Sequence, residues 1–192
     1  MKKLTLLLFL ILPEYSLLMA QEVPLGSWQT HVSYLSALRL EQVQGTFFCA
    51  SYNGLFSYNP GQDSTVIYSK INGLHDTGIS SMAYHPAQQL LLLAYRSGNL
   101  DLMYLDEQAA PRQITEWPLL RDAPGLPANR RVNSVVFRDN LAYLATAFGV
   151  VVLDPAQREV RETYRYIGQA GAEVAVLDLA FTADSLYALT PQ

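Results

Sequence analysis

Residues 47–58 read FFCASYNGLFSY, residues 91–102 read LLLAYRSGNLDL, and residues 142–153 read AYLATAFGVVVL. In each, an apolar run reaches a small residue, then a polar turn and a glycine, then a second apolar run. That is the pattern of two short strands joined by a tight connection. The glycines are Gly54, Gly98 and Gly149, spaced 44 and 51 residues apart, and Ala50, Ala94 and Ala145 keep the same intervals. A fourth copy begins at Leu186, with Leu189 placed 44 residues after Ala145. The glycine has a physical reason to recur: a tight connection needs positive φ, which costs a residue with a Cβ about 1 kcal/mol or more.

Each hairpin is flanked by two further strand patterns. Residues 36–40, 79–84, 132–137 and 177–181 precede the four copies, and residues 65–70, 113–117 and 160–166 follow the first three. Between them stand turn formers such as Asn59-Pro60-Gly61, Asn72-Gly73, His85-Pro86, Asp139-Asn140 and Asp154-Pro155. Four short strands in every unit of 44 to 51 residues is the signature of a β-propeller blade. The expected fold is therefore all-β, an incomplete β-propeller of about three and a half four-stranded blades. The boundaries that follow are about 35–74, 75–126, 127–173 and a truncated 174–192. Closed propellers usually have about four to eight blades, so the stretch reads as the N-terminal part of a larger ring. Residues 21–34, with the weak alternation of 27–34, are expected to supply a closing strand to the last blade. A chain holding these blades alone has two raw edges and is expected to aggregate or stay open.

The first 20 residues stand apart from this repeat. Lys2 and Lys3 precede the apolar run 4–12, Pro13 and Glu14 interrupt it, and Leu17-Leu18-Met19-Ala20 ends on a small residue. This is the layout of a secretory leader cleaved after Ala20, and the apolar run is too short to span a bilayer. Removing it leaves 11 basic and 16 acidic side chains. Across the whole sequence of 192 residues, 50% hydrophobic and 16% charged, the net charge is -4. That balance excludes a disordered chain and the basic footprint of a nucleic-acid binder. A lone cysteine, Cys49, excludes an internal disulfide and reads as a small buried hydrophobe.

The sequence carries no catalytic constellation, no metal motif and no cofactor motif. Of His31, His75 and His85, the last two fall in turn or loop contexts and read as surface residues. Gly168-Gln169-Ala170-Gly171 is too short for a phosphate loop, and Asp106-Glu107 reads as a solvated turn. Trp28 and Trp117 read as packing between blades. The remaining candidate is basic. Arg161 and Arg165, placed on one face of a strand beside Tyr164 and Tyr166 and near Arg130-Arg131, form a set able to contact an anionic glycan.

The stretches 71–84, 91–102 and 141–154, together with Trp28-Gln29-Thr30-His31 and Tyr34, resemble the first propeller of the PorZ family of the Bacteroidetes type IX secretion system. The resemblance covers nearly all of residues 28–190, and the pattern Asn72-Gly73-Leu74-His75-Asp76-Thr77 through Ser80 also resembles blades of periplasmic two-component sensors. PorZ-family membership implies a larger protein with two propellers and a C-terminal sorting domain. It also implies a non-enzymatic adaptor, in the periplasm or at the outer-membrane surface, that works with a sortase and other attachment-complex proteins and binds anionic lipopolysaccharide. The sensor resemblance implies instead the periplasmic domain of a hybrid histidine kinase. A propeller lyase or glycosidase needs acidic or histidine residues converging at the ring centre, and this stretch offers no such set.

Overall fold

The computed structural model describes Tyr34 and residues 36–191. The expected leader (1–20) and closing strand (21–34, apart from Tyr34), with Trp28 and His31, lie outside the described residues. Three four-stranded antiparallel sheets follow one another along the chain. The first is β1 (Ala37–Val43), β2 (Thr46–Ser51), β3 (Leu55–Asn59) and β4 (Ser64–Tyr68). The second is β5 (Ile79–His85), β6 (Leu90–Tyr95), β7 (Leu100–Leu105) and β8 (Pro111–Trp117). The third is β9 (Val132–Arg138), β10 (Leu141–Thr146), β11 (Gly149–Asp154) and β12 (Glu159–Tyr164), and a two-stranded sheet of β13 (Asp178–Phe181) and β14 (Leu186–Leu189) closes the described chain. Each strand overlaps the segment the repeat predicts, with ends displaced by up to three residues.

Each sheet pairs its strands in chain order, and β5 packs beside β1 and β9, with β9 beside β13. The first strand of each sheet therefore lies innermost, and the sheets fan round a common axis as blades do. Sequence parity explains how they pack. Successive side chains of a strand point to opposite faces. In β6, Leu90 and Leu92 join the core shared by the second and third blades, while Leu91 and Leu93 join the core shared by the first and second. A strand covered on both faces reads as a continuous apolar run, which is why LLLLAY is buried throughout. A smaller core of Ala145, Val150, Val176 and Leu179 joins the third blade to the partial fourth.

Repetition extends to the backbone. Each complete blade leaves one inner-strand residue unpaired at the equivalent register: Leu38 in β1, Ser80 in β5 and Asn133 in β9. These bulges raise the local twist of the inner strand, as β-bulges do. The turn between the third and fourth strands places Asp63, Ala109 and Arg158 at φ 47, 60 and 56. The longer interval between Gly98 and Gly149 is absorbed mainly by residues 118–131, which carry a single helical turn, Leu119–Asp122, that the strand pattern does not predict.

The alternation of strand directions sorts the loops. Interblade connectors and the turns between second and third strands lie on one face, here the connector face. First-to-second and third-to-fourth turns lie on the other. Backbone bonds stitch the connector face: Gly78 N–H donates to the Tyr52 carbonyl at 2.9 Å, and Arg96 N–H donates to Gly78 O at 3.0 Å. Ala147 N–H donates to Arg131 O, and Val176 N–H to Thr146 O, each at 2.9 Å.

Candidate functional site

Polar chemistry concentrates on the connector face of the second blade. Asp101 lies within β7 between Leu100 and Leu102, 0% exposed. Its Oδ2 accepts from Tyr95 Oη at 2.6 Å and from the His75 N–H at 3.0 Å, and its Oδ1 lies 2.9 Å from His75 Nδ1. Burial pushes the Asp101 carboxyl above the usual carboxylate range, opposed by its bonds from Tyr95 and His75. The Tyr95 phenol is raised, first by burial and then by the Asp101 charge. Beside this cluster Ser97 Oγ donates to Asp76 Oδ2 at 2.6 Å, and Asp76 Oδ1 accepts from Thr77 N at 2.7 Å.

The cluster's geometry is that of a clasp. Asp101 orients His75 as a carboxylate orients a general base, but the serine nearby is committed to Asp76 and not to His75. Asp101 also binds the His75 backbone, so the carboxylate ties the connector between β4 and β5 to the second blade. A similar tie follows at Asn99, whose Nδ2 donates to Glu116 Oε1 at 3.0 Å, while Arg121 Nη1 donates to the same oxygen at 2.8 Å. Asp101 leaves a trace in sequence, a carboxylate in a leucine-rich strand. Its partners His75 and Tyr95 are 26 and 6 residues away and carry no pattern of their own.

The structure divides the four candidate arginines. Arg165 follows β12 instead of lying in it, and four residues of strand separate it from Arg161 by roughly 13 Å. Arg161 sits near the far turns, donating to Asp154 Oδ2 at 2.8 Å with Glu159 at 3.5 Å. This bond holds the Asp154 carboxyl below the usual range. Arg130, Arg131 and Arg165 belong to the connector face. Arg130 donates to the carbonyls of Arg121, Leu120 and Pro127, the last two at 3.2 Å. Arg165 pairs with Glu173, donates to Gly125 O at 3.2 Å, and lies over Tyr166 and Phe148 at 5.6 and 5.9 Å. The four-arginine set expected from sequence is thus split: Arg130, Arg131 and Arg165, the last ion-paired with Glu173, on one rim and Arg161, ion-paired with Asp154, near the other.

Other expectations meet the coordinates individually. His85 is buried, not a surface residue: Nε2 lies 2.5 Å from Asp139 O, and Nδ1 accepts from Gln88 N at 3.1 Å. Pro86 still begins a turn there, but the imidazole caps it from inside and packs edge-on against Phe137. His75 is a surface residue as expected, its side chain 37% exposed. Asp106 Oδ1 caps its turn by accepting from Gln108 N and Ala110 N, both at 2.9 Å. Cys49 and Trp117 are buried, Trp117 in the core of the second and third blades. Among the described residues no group of three His, Cys, Asp or Glu side chains is placed to hold a metal ion, and no helix is long and apolar enough to cross a membrane.

Radial four-stranded sheets with a shared inner rim define the class: this is an arc of a β-propeller. Residues 47–192 match the family described as TSS9, PorZ, N-terminal beta-propeller domain, and the chain belongs to it. The solved PorZ of Porphyromonas gingivalis, described as an essential bacterial surface component of the type-IX secretion system, is 30% identical, with a TM-score of 0.64. That match covers 80% of this chain and 19% of the PorZ chain, so the sequence spans about a fifth of its relative's length. The extracellular domain of a hybrid two component system from B. thetaiotaomicron is 15% identical at a TM-score of 0.63, covering 85% of this chain and 21% of that one. A chain of the mitotic checkpoint complex is 14% identical at 0.55, covering 81% of this chain and 44% of that one. These two likenesses concern the fold alone. No curated protein matches the chain.

Proposed function

We propose that this propeller belongs to a non-enzymatic cell-surface adaptor of the type IX secretion system, one that binds anionic lipopolysaccharide and supports sortase-mediated attachment of cargo. The observation that carries the reading is the match of residues 47–192 to the PorZ N-terminal propeller. The polar clusters agree with an adaptor: Asp101, Asp76 and Glu116 each bind a neighbouring loop or strand and spend their lone pairs on architecture. Within this reading an anionic glycan meets the connector face at Arg130, Arg131 and Arg165, the last lying over the exposed Tyr166. Arg161, held by Asp154 and Glu159, lies nearer the other rim.

Deletion of the gene tests the proposal. Cargo proteins carrying type IX sorting domains are expected to lose surface attachment, and the full-length product is expected to co-purify from envelopes with a sortase. Normal cargo display in the deletion strain overturns the reading. Loss of a transcriptional response with display intact assigns the propeller to the sensor class.

A further inference from the structure

The turn joining the third and fourth strands repeats in all three complete blades, and its left-handed residue differs in a way that shapes the surface. In the third blade this residue is Arg158, which reaches to the second blade and donates to Glu116 O on β8 at 3.0 Å. In the second blade it is Ala109, buried and with no side chain to span the gap. Trp117 and Tyr68 hold equivalent places, opposite Leu100 and Leu55, so the carbonyl matching Glu116 is that of Ile67. Asn72 takes it, donating from Nδ2 at 2.5 Å. The boundary between the second and third blades is clasped, and the boundary between the first and second is an open groove. It has a volume of about 440 Å³ and runs into a hollow of about 110 Å³, the two sharing Val66, Tyr68 and Ala110.

We propose that this groove binds an uncharged saccharide. Gln113 lines the groove and Gln62 and Gln108 line the adjoining hollow, and the side-chain amides of all three make no hydrogen bond among the described residues. An amide both donates and accepts, as a sugar hydroxyl does, so these amides suit a polyhydroxyl ligand. Val66 and Ile114 give the groove an apolar wall for the C–H face of a ring. A phosphate or carboxylate demands convergent cations, and among the lining residues only Arg112 is charged. An extended peptide added to the outer edge of β4 uses main-chain bonds and leaves side-chain amides idle. The volume lies within the range of small-ligand sites, roughly 300–1,000 Å³. The groove is separate from the connector-face arginines, and this inference is independent of the secretion reading.

The test is calorimetric titration of the full-length protein with neutral gluco-, manno- and chito-oligosaccharides, at low and at 1 M salt. At least one is expected to bind with little salt dependence. Each of Gln62→Ala, Gln108→Ala and Gln113→Ala is expected to weaken it by about five-fold, the effect of one lost hydrogen bond. Ala109→Arg is expected to abolish binding by filling the hollow that holds Gln62 and Gln108, since arginine already occupies this backbone conformation at Arg158. If Ala109→Arg melts early, the glutamine variants carry the test by themselves. Absence of binding across the panel, affinity unchanged in the glutamine variants, binding confined to charged sugars and lost at 1 M salt, or an extended peptide displacing the saccharide would each overturn the proposal.

Discussion

Asp101 is a fully buried carboxyl group whose burial reaches into the molecule's solution behaviour. Its carboxyl titrates above the usual range in the folded state, so just above pH ~4, the ordinary value, the folded protein binds more protons than the unfolded one. Stability from this group is therefore full at low pH and declines as pH rises through the folded pKa. Asp122 and Asp154, held low by Arg121 and Arg161, act with the opposite sign. Asp101→Asn is expected to remove the declining component: melting scans should show the variant gaining on the parent protein as pH rises above ~4, and a constant difference would refute the assignment. The repeated glycines are a second matter at this scale. Gly98 and Gly149 have φ +85 and +137, as a tight connection requires, but Gly54 does not have positive φ. What the three share is a backbone carbonyl against the missing Cβ: Tyr68 O at 2.8 Å, Arg130 O at 3.0 Å and Tyr164 O. Gly54→Ala is thus expected to cost about 1–3 kcal/mol in chemical denaturation although its own backbone is permissive. Gly61→Ala, which meets only an Asn59 side-chain oxygen at 3.3 Å, should cost far less.

A blade here is a sheet with two buried faces, and its central strands show what that demands. Leu92→Ala and Leu93→Ala empty different interblade cores, and each is expected to cost about 2–5 kcal/mol by equilibrium unfolding. Because the two cores lie on opposite faces of one strand, the paired variant should approach the sum of the single costs, within about 0.5 kcal/mol. The Arg158 clasp is a smaller device on an exposed rim. Arg158→Ala is expected to cost roughly 0.5–1 kcal/mol, measured by the same unfolding experiment. Strand existence was legible at this scale because alternation and turn residues mark it locally. The helical turn Leu119–Asp122 was not, since a four-residue helix is too short for a 3.6-residue period to register.

Seen whole, the arc has two outward faces with different neighbours from those inside it. Leu40 on β1 is 62% exposed and Leu189 on β14 is 60% exposed, with Phe56 and Ile67 beside Tyr34 at one end and Tyr187 at the other. A protein made only of these residues is expected to self-associate, with sedimentation velocity showing species larger than a monomer and Leu40→Ser with Leu189→Ser reducing them. A monodisperse monomer would contradict this. The amino-acid sequence by itself determined the blade: its period, its four strands and its buried central hairpin. Each of these follows from side chains a few positions apart along one strand or turn. Only the tertiary structure decided which polar residues meet. Asp101 with His75, Arg158 with Glu116, and the separation of Arg161 from Arg130, Arg131 and Arg165 depend on how neighbouring blades approach each other and on which rim a loop occupies. Those relations join residues up to several dozen positions apart, where no local periodicity reaches.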